Sequence, residues 1–159
     1  MSREKIKYLI LDLDGVITDG TVTINKSNDE YKSYSYQDLD AITSMHNIGL
    51  EIAIVTAENT PIVATIAKRF KINNVIKGAK DKLKAISKLK NSNGISFNEI
   101  CYIADGDRDA ISLEKVGFGF CPMNGTKLAK AASNKILNSN GGNGAIAEAV
   151  DFLVENALI

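Results

Sequence analysis

Two carboxylates separated by one residue, Asp12 and Asp14, end the apolar run in "KYLILDLDGVITDG", residues 7–20. In an extended chain, residues two apart project to the same side, so the two side chains are expected to lie close together. Carboxylates that share a site repel each other, which raises a pKa or recruits a cation. Because Mg²⁺ prefers oxygen ligands and often bridges to a substrate phosphate, the pair predicts a magnesium-dependent site.

Further polar side chains stand where the other apolar runs end. Thr56 ends the second run, Asp105 ends the fourth with Asp109 four residues later, and Lys82 follows the short third run. Ligands of open α/β sheets bind beyond the carboxyl ends of the strands, so these groups are expected to share one edge with the first pair. An oxygen nucleophile, a cation site, an ammonium and a hydroxyl donor are the parts that phosphoryl transfer needs.

The segments that must position these groups alternate between apolar strand-like runs and stretches of helical period. Strands that are apolar throughout and are separated by helices predict a parallel sheet covered on both faces, in an α/β, Rossmann-like three-layer sandwich. Strands are predicted at 6–14, 49–57, 73–78, 99–105, 117–122 and 134–138, and helices at 38–49, 59–70, 80–94, 107–117 and 144–158.

One segment breaks this alternation. Residues 16–36 are rich in Thr and Tyr around a polar "NKSND" turn, which predicts a β-hairpin inserted after the first strand. The alternating Tyr31, Tyr34 and Tyr36 are expected to bury rings on the core or on a partner subunit. The 159 residues are expected to form a single domain, 1–159.

Composition excludes several classes of function. Lys plus Arg and Asp plus Glu both number 19, so no large basic field favours a nucleic-acid partner. No apolar run approaches the ~20 residues of a membrane helix, and the N-terminus lacks the apolar core of a signal peptide. The two cysteines, Cys101 and Cys121, have no metal or redox spacing and are expected to be buried thiols in a reducing, cytoplasmic setting.

Four short motifs, taken in order, identify a family. The run "DLDGVITDG", then "VTA", "KDK" and "ADGDRD", resembles the haloacid dehalogenase (HAD) superfamily of aspartate-nucleophile phosphatases. More narrowly, "DGVITDG", "YSYQDLDAI", "KGAKDKL" and "GGNGAIAEAV" resemble its capless 3-deoxy-D-manno-octulosonate 8-phosphate (KDO 8-phosphate) phosphatase group, which includes 9-phosphononulosonate phosphatases. The resemblance implies a HAD-like hydrolase fold with no cap domain, and a phosphoric monoester hydrolase.

The resemblance also implies a role for each motif residue. Asp12 would be the nucleophile that forms an aspartyl-phosphate, and Asp14 the general acid and base whose backbone carbonyl also binds Mg²⁺. Thr56 would hydrogen-bond a phosphoryl oxygen, and Lys82 would balance charge on the nucleophile and phosphate. Asp12 and Asp105 would ligate the metal through their side chains.

Other positions follow or depart from the family pattern. Asp109 would hold the motif lysine or a metal-bound water. Arg108 stands where the family usually has asparagine and is a candidate substrate contact, as is Ala57 beside the motif threonine. Ala57 and Glu58 replace a common Gly-Arg pair, and the arginines that flank the tail glycines in relatives are missing. The catalytic set is therefore complete, whereas the usual set for binding an acidic sugar is reduced.

The family resemblance further implies a homotetramer whose hairpins and tails complete neighbouring sites. The expected substrate is a phosphorylated ulosonic or nonulosonic (sialic acid-like) acid, as in lipopolysaccharide biosynthesis and related surface-glycan pathways. Two alternatives remain open at this stage: a phospho-accepting signalling domain and a non-catalytic sugar-phosphate-binding subunit. A receiver domain is disfavoured because its acceptor aspartate ends the third strand, not the first.

A few residues admit a structural explanation as well as a functional one. Asp38 is interpreted as the N-cap of the first helix. His46, near that helix's end, suits a structural role. Gly141, Gly142 and Gly144 form either a loop before the last helix or a flexible tail that closes a neighbouring site.

Overall fold

A six-stranded parallel sheet forms the centre of the computed structural model, which describes residues 4–159. Its strands are β1 (Tyr8–Leu11), β4 (Glu51–Val55), β5 (Asn74–Ile76), β6 (Ile100–Ile103), β7 (Phe118–Cys121) and β8 (Lys135–Ile136). The spatial order is β5-β4-β1-β6-β7-β8, and every pairing is parallel. The predicted α/β class and parallel sheet are confirmed. The strands are shorter than the predicted runs because residues at both ends of each run, polar and apolar alike, lie beyond the last pairing.

The strand order reverses at β1, and this reversal locates the site. Leu11, the last residue of β1, pairs with Ile54 of β4 on one side and with Ile103 of β6 on the other. The three strands therefore end side by side, and the connections that leave them diverge in opposite directions. A crevice at such a reversal is the usual ligand site of an open α/β sheet. We call this edge the carboxyl edge.

Within residues 4–159, both faces of the sheet are covered by six helices: α1 (Tyr36–Asn47), α2 (Pro61–Arg69), α3 (Lys82–Asn93), α4 (Ala110–Lys115), α5 (Lys127–Ala132) and α6 (Ala145–Glu155). Five of them were predicted, whereas α5 was not. Leu9 and Leu11 of β1 pack into one apolar cluster, and Tyr8 and Ile10 pack into the other, as the alternation of a strand requires. The first cluster includes side chains of α1, α2 and α6, and the second those of α3, α4 and α5.

The predicted hairpin lies between β1 and α1 and forms a separate two-stranded sheet. Its strands, β2 (Thr23–Ile24) and β3 (Glu30–Tyr31), are antiparallel, and an isolated bridge joins Thr18 to Tyr34. Of the three alternating tyrosines, only Tyr34 packs against the core. Tyr31 is exposed, and Tyr36 is the exposed first residue of α1 (Tyr36–Asn47). Within residues 4–159 this hairpin is the whole insertion after β1, so no cap domain covers the carboxyl edge there.

The assignment of Asp38 as the cap of α1 was wrong. Ser35 caps α1 by accepting a hydrogen bond from the Gln37 amide. Asp38 is fully buried inside α1, and its carboxylate accepts hydrogen bonds from the amides of Gly144 and Ala147, at 3.1 and 3.0 Å. It therefore caps α6, a helix more than 100 residues away in sequence, because α1 and α6 pack side by side.

Both thiols are buried, as expected, and both are free. His46 contacts the Phe70 carbonyl at 3.2 Å, in keeping with a structural role. Within the part of the chain that is described, no helix combines the length and apolar character needed to cross a membrane.

Candidate active site

Asp12 is the first residue beyond β1 and is almost entirely buried. Its carboxylate accepts a hydrogen bond from the Leu13 amide at 2.7 Å, which fixes the side chain against the turn that follows. The ammonium of Lys82, the first residue of α3, lies 3.0 Å from the same carboxylate. A buried, oriented carboxylate at the end of the central strand is suited to act as an oxygen nucleophile.

The turn after Asp12 is shaped by glycine. Gly15 has φ +80°, and a Cβ there would lie 1.9 Å from Oδ2 of Asp105. Asp105 can therefore approach the turn after Asp12 only because Gly15 has no side chain. The Asn124 amide holds the turn from the other side, since it donates to the Gly15 carbonyl at 3.0 Å and accepts from the Gly141 amide at 2.6 Å.

Three carboxylates meet beside this turn. Oxygen atoms of Asp12, Asp105 and Asp109 all lie within 4.8 Å of one another. Lys82 also contacts Asp109 at 3.1 Å, and the buried Tyr102 hydroxyl donates to the same Asp109 oxygen at 2.7 Å. If all three acids are ionised, one ammonium leaves the cluster with two formal negative charges, which is the charge a divalent cation would neutralise.

The pKa shifts of the residues in this cluster also indicate a site that lacks positive charge. Burial and, to a smaller extent, the charge of Asp109 raise the pKa of Asp12 from 3.8 to about 7, against the opposing effect of Lys82. Burial and then the charge of Asp109 raise the pKa of Asp105 to about 6. Burial alone would lower the pKa of Lys82, but the charges of Asp12 and Asp109 raise it overall. These carboxylates are therefore short of positive charge, and the residues present fit a divalent cation.

Asp14 does not join this cluster through its carboxylate. Its Oδ1 accepts from the ammonium of Lys32, on the hairpin, at 2.7 Å and from the Thr18 hydroxyl at 3.4 Å. The same ammonium contacts Glu58 at 3.1 Å. The exposed fractions of the side chains are 1% for Lys32, 22% for Glu58 and 40% for Asp14.

Lys32 and Glu58 were missed as site residues. Lys32 is one polar residue in an alternating hairpin strand, and nothing in that pattern separates it from an exposed lysine. Glu58 was noted only as a departure from the family pattern, although it stands two residues beyond Thr56, at the carboxyl edge.

The remaining candidates lie at the same edge but differ in exposure. Thr56 is buried at the end of β4, and its hydroxyl accepts from the Glu58 amide at 3.1 Å. Ala57 is exposed beside it. Arg108 is exposed on the short helical turn Asp107–Asp109. The structure brings Asp12, Lys82, Asp105 and Asp109 together, and it leaves Ala57 and Arg108 at the surface.

The tail glycines pack on their own chain. A Cβ on Gly141 would lie 1.9 Å from the Gly15 carbonyl oxygen, and the Gly142 amide donates to the Val16 carbonyl at 2.9 Å. Gly144 has φ +96° and directly precedes α6. This segment is therefore the loop before the last helix, the first of the two alternatives, and it supports the turn after Asp12.

Comparison with known proteins identifies one family, and the relatives described below agree with that family. The model of the haloacid dehalogenase-like hydrolase family matches residues 60–150. The KDO 8-phosphate phosphatase KdsC of Escherichia coli K12 is 28% identical over 151 residues, which covers 95% of this chain and 80% of that protein.

Solved structures agree in fold over nearly the whole chain. The KDO 8-phosphate phosphatase of Moraxella catarrhalis, in complex with a magnesium ion, a phosphate ion and a KDO molecule, has a TM-score of 0.90 and 31% identity, and the match covers 94% of this chain and 86% of that one. The cobalt-bound enzyme of Haemophilus influenzae has a TM-score of 0.89 and 25% identity, with 95% and 88% coverage.

Proposed function

Because this chain belongs to the haloacid dehalogenase-like hydrolase family and is a phosphoric monoester hydrolase, we propose that it hydrolyses a sugar-acid phosphomonoester through a phosphorylated Asp12. The observation that carries the proposal is the buried cluster of Asp12, Asp105 and Asp109 around Lys82 at the carboxyl edge. It supplies a fixed oxygen nucleophile, a cation and an acidic metal site within one crevice.

The reaction proceeds in two displacements at phosphorus. In the first, an Asp12 oxygen forms a bond to phosphorus while the bond to the sugar oxygen breaks, and protonated Asp14 gives its proton to that oxygen. In the second, water attacks the phosphoryl group, Asp14 takes the proton of the water, and the Asp12 carboxylate is released with inorganic phosphate. Lys82 and Thr56 bind the oxygens of the transferring group.

Mg²⁺ is the proposed cofactor. Asp12 and Asp105 would hold it through their carboxylates and Asp14 through its backbone carbonyl, while Asp109 anchors Lys82 beside them. The ion would supply positive charge next to the transferring phosphoryl group. The three clustered carboxylates and the pKa values of Asp12 and Asp105 support this assignment, since both acids lie in a site deficient in positive charge.

KDO 8-phosphate or a related 9-phosphononulosonate is the proposed substrate, on the basis of the named relatives. Thr56, Ala57, Lys82 and Arg108 are the proposed contacts. Because Arg108 is exposed and the arginines expected beside the tail glycines are missing, few arginines are available to pair with the carboxylate of a sugar acid. The family assignment leaves the alternatives of a signalling receiver and a non-catalytic subunit without support.

The proposed working form is a cytoplasmic homotetramer of single-domain chains, residues 1–159. Its support in this chain is the exposed apolar surface of the hairpin, which isolated chains would leave in water. The residues concerned are Val22, Ile24, Tyr31 and, just beyond the hairpin, Tyr36. Sedimentation velocity would measure the assembly directly, and a monomer at micromolar concentration would contradict it.

The test is phosphate release by the purified protein. With Mg²⁺ it should hydrolyse KDO 8-phosphate or a 9-phosphononulosonate, and p-nitrophenyl phosphate more slowly. Asp12→Asn keeps the shape of the side chain but removes the nucleophile, so kcat should fall at least about 1,000-fold on every substrate. Excess EDTA should abolish wild-type activity, and added Mg²⁺ should restore it.

Three outcomes would contradict the proposal. Equal activity of wild type and Asp12→Asn would show that Asp12 is not the nucleophile. Full activity in EDTA would show that the reaction does not depend on a divalent metal ion. Hydrolysis of p-nitrophenyl phosphate but of no member of a panel of phosphorylated eight- and nine-carbon keto acids would contradict the proposed substrate class, although the protein would still be a phosphatase.

A further inference from the structure

Lys32 links the hairpin to the carboxyl edge. Residues 19–33 are exposed except for Asn25 and Lys32, which are partly exposed as whole residues. The side chain of Lys32 is nevertheless 1% exposed, and its ammonium lies between Asp14 and Glu58. A lysine on a solvent-exposed hairpin would by default keep its charge in water, so this burial needs an explanation.

Glu58 fixes the position of that ammonium. One carboxylate oxygen of Glu58 accepts from the amides of Asn59 and Thr60, both at 3.1 Å, while the other accepts from Lys32 at 3.1 Å. The carboxylate is thus held by backbone immediately before α2, and the Glu58 amide in turn donates to the Thr56 hydroxyl. The charge of Lys32 is therefore anchored to the loop that follows β4.

Asp14, by contrast, is held mainly by Lys32. Its side chain is 40% exposed, and its carboxylate accepts from Lys32 at 2.7 Å and from the Thr18 hydroxyl only at 3.4 Å. An exposed carboxylate with one short hydrogen bond depends on that bond for its orientation. Without the ammonium, rotation of the side chain toward water would meet little resistance.

We propose that Lys32 is a positioning residue, which orients Asp14 for proton transfer to the departing sugar oxygen. The inference rests on the proposed function, because it takes Asp14 as the general acid. Its physical basis is that a proton donor acts only when it lies within hydrogen-bond reach of the leaving atom, so a loosely held carboxylate spends most of its time misplaced. The hairpin thereby contributes to catalysis through one buried charge.

The experiment compares leaving groups. Wild type, Lys32→Met, Asp14→Asn and the double variant are assayed with Mg²⁺ on p-nitrophenyl phosphate and on phenyl phosphate. The two esters have nearly the same shape, but p-nitrophenolate leaves readily without a proton, whereas phenolate needs one. The ratio of the two kcat/KM values reports protonation of the leaving group, and it does not depend on the fraction of enzyme that is folded.

Lys32→Met is expected to lower kcat/KM for phenyl phosphate about 10-fold more than for p-nitrophenyl phosphate. In the Asp14→Asn background the same substitution should leave the ratio unchanged, because the group that Lys32 positions is already absent. Lys26→Met, which changes an exposed lysine in the hairpin turn, is the matched control and should leave both rates as in wild type.

Equal losses on both esters would overturn the inference, since Lys32 would then serve only to fasten the hairpin. A further change of the ratio in the Asp14→Asn background would also overturn it, because Lys32 would act independently of Asp14. If wild type hydrolyses neither these esters nor any of the phosphorylated keto acids, the proposed function itself fails, which is distinguishable from both of these results.

Discussion

Two lysines in this protein each contact two carboxylates, and the two networks differ in how they are held. Lys82 joins Asp12 and Asp109, and all three side chains are largely removed from water. They come from the end of β1, the first residue of α3 and the short turn after β6, so elements packed on the core sheet fix all of them. This network resists rearrangement because no member can move without disturbing the packing of the sheet and its helices.

The Lys32 network joins less constrained parts of the chain. Lys32 belongs to the hairpin, Glu58 to the loop after β4, and Asp14 to the glycine-containing turn after β1. Its carboxylates remain partly in water. Under the proposed function the two networks would act differently: the buried network would fix the proposed nucleophile and metal site, while the partly exposed one would orient the proposed general acid and base, Asp14.

The largest effect is expected from a substitution that breaks the buried Lys82 network. Lys82→Met removes the ammonium and leaves Asp12 and Asp109 facing each other without a cation. We expect kcat to fall about 1,000-fold, and the free energy of unfolding of the metal-free protein to fall by about 3 kcal/mol at neutral pH. Steady-state kinetics and urea unfolding in EDTA measure the two effects.

Lys80→Met is the control for this substitution, because Lys80 is an exposed lysine two residues earlier, in the loop before α3. It should change neither quantity. An unaltered free energy of unfolding in Lys82→Met would show that the acidic cluster does not depend on the ammonium, and the contrast between the two networks would disappear.

An intermediate effect comes from pH. The pKa of Asp12 is about 7 and that of Asp105 about 6 in the folded, metal-free protein, against 3.8 for an ordinary aspartate. Between about pH 4 and pH 7 these two groups therefore bind more protons in the native state than in the unfolded state, so their contribution to stability is greatest below this window and is lost as the pH rises through it. A bound divalent cation would compensate for the lost protons.

Added Mg²⁺ should accordingly raise Tm by roughly 5 °C at about pH 8 and by little at about pH 5. Thermal unfolding in EDTA and in Mg²⁺ at both pH values measures this difference. The same Tm increase at both pH values would contradict the assignment of the metal to Asp12 and Asp105, because protons would then not compete with the ion.

The smallest effect is expected from a substitution that weakens the Lys32 network. Glu58→Gln removes one of the two charges that Lys32 contacts, but the remaining carboxylate of Asp14 still pairs with the ammonium. Because both carboxylates are partly solvated, the free energy of unfolding should fall by less than about 1 kcal/mol. Urea unfolding measures it, and a loss as large as that expected for Lys82→Met would show that the networks do not differ in kind.

Much of the fold could be predicted from the sequence, since β1, β4 and β6 are uninterrupted apolar runs that only a doubly covered sheet can bury. The same logic predicted that Asp12, Thr56 and Asp105 would share an edge. It failed for Asp38, because a capping residue followed by a helical pattern looks the same whether its carboxylate bonds its own helix or another. The Asp38 contacts are with α6, which local sequence does not encode.

The sequence by itself determined the parallel sheet, the order of the strand-end acids along the chain and the family, because apolar periodicity and motif order are properties of the chain. Only the tertiary structure decided that Lys32 meets Asp14 and Glu58, whereas the family motifs had already led us to expect Lys82 beside Asp12 and Asp109. Lys82 and Lys32 are both ordinary lysines in local sequence, and each is buried because the folded chain surrounds it with carboxylates from distant segments. The packing of the tail glycines on the turn after Asp12 was decided in the same way, since the absence of a side chain has meaning only where another backbone approaches.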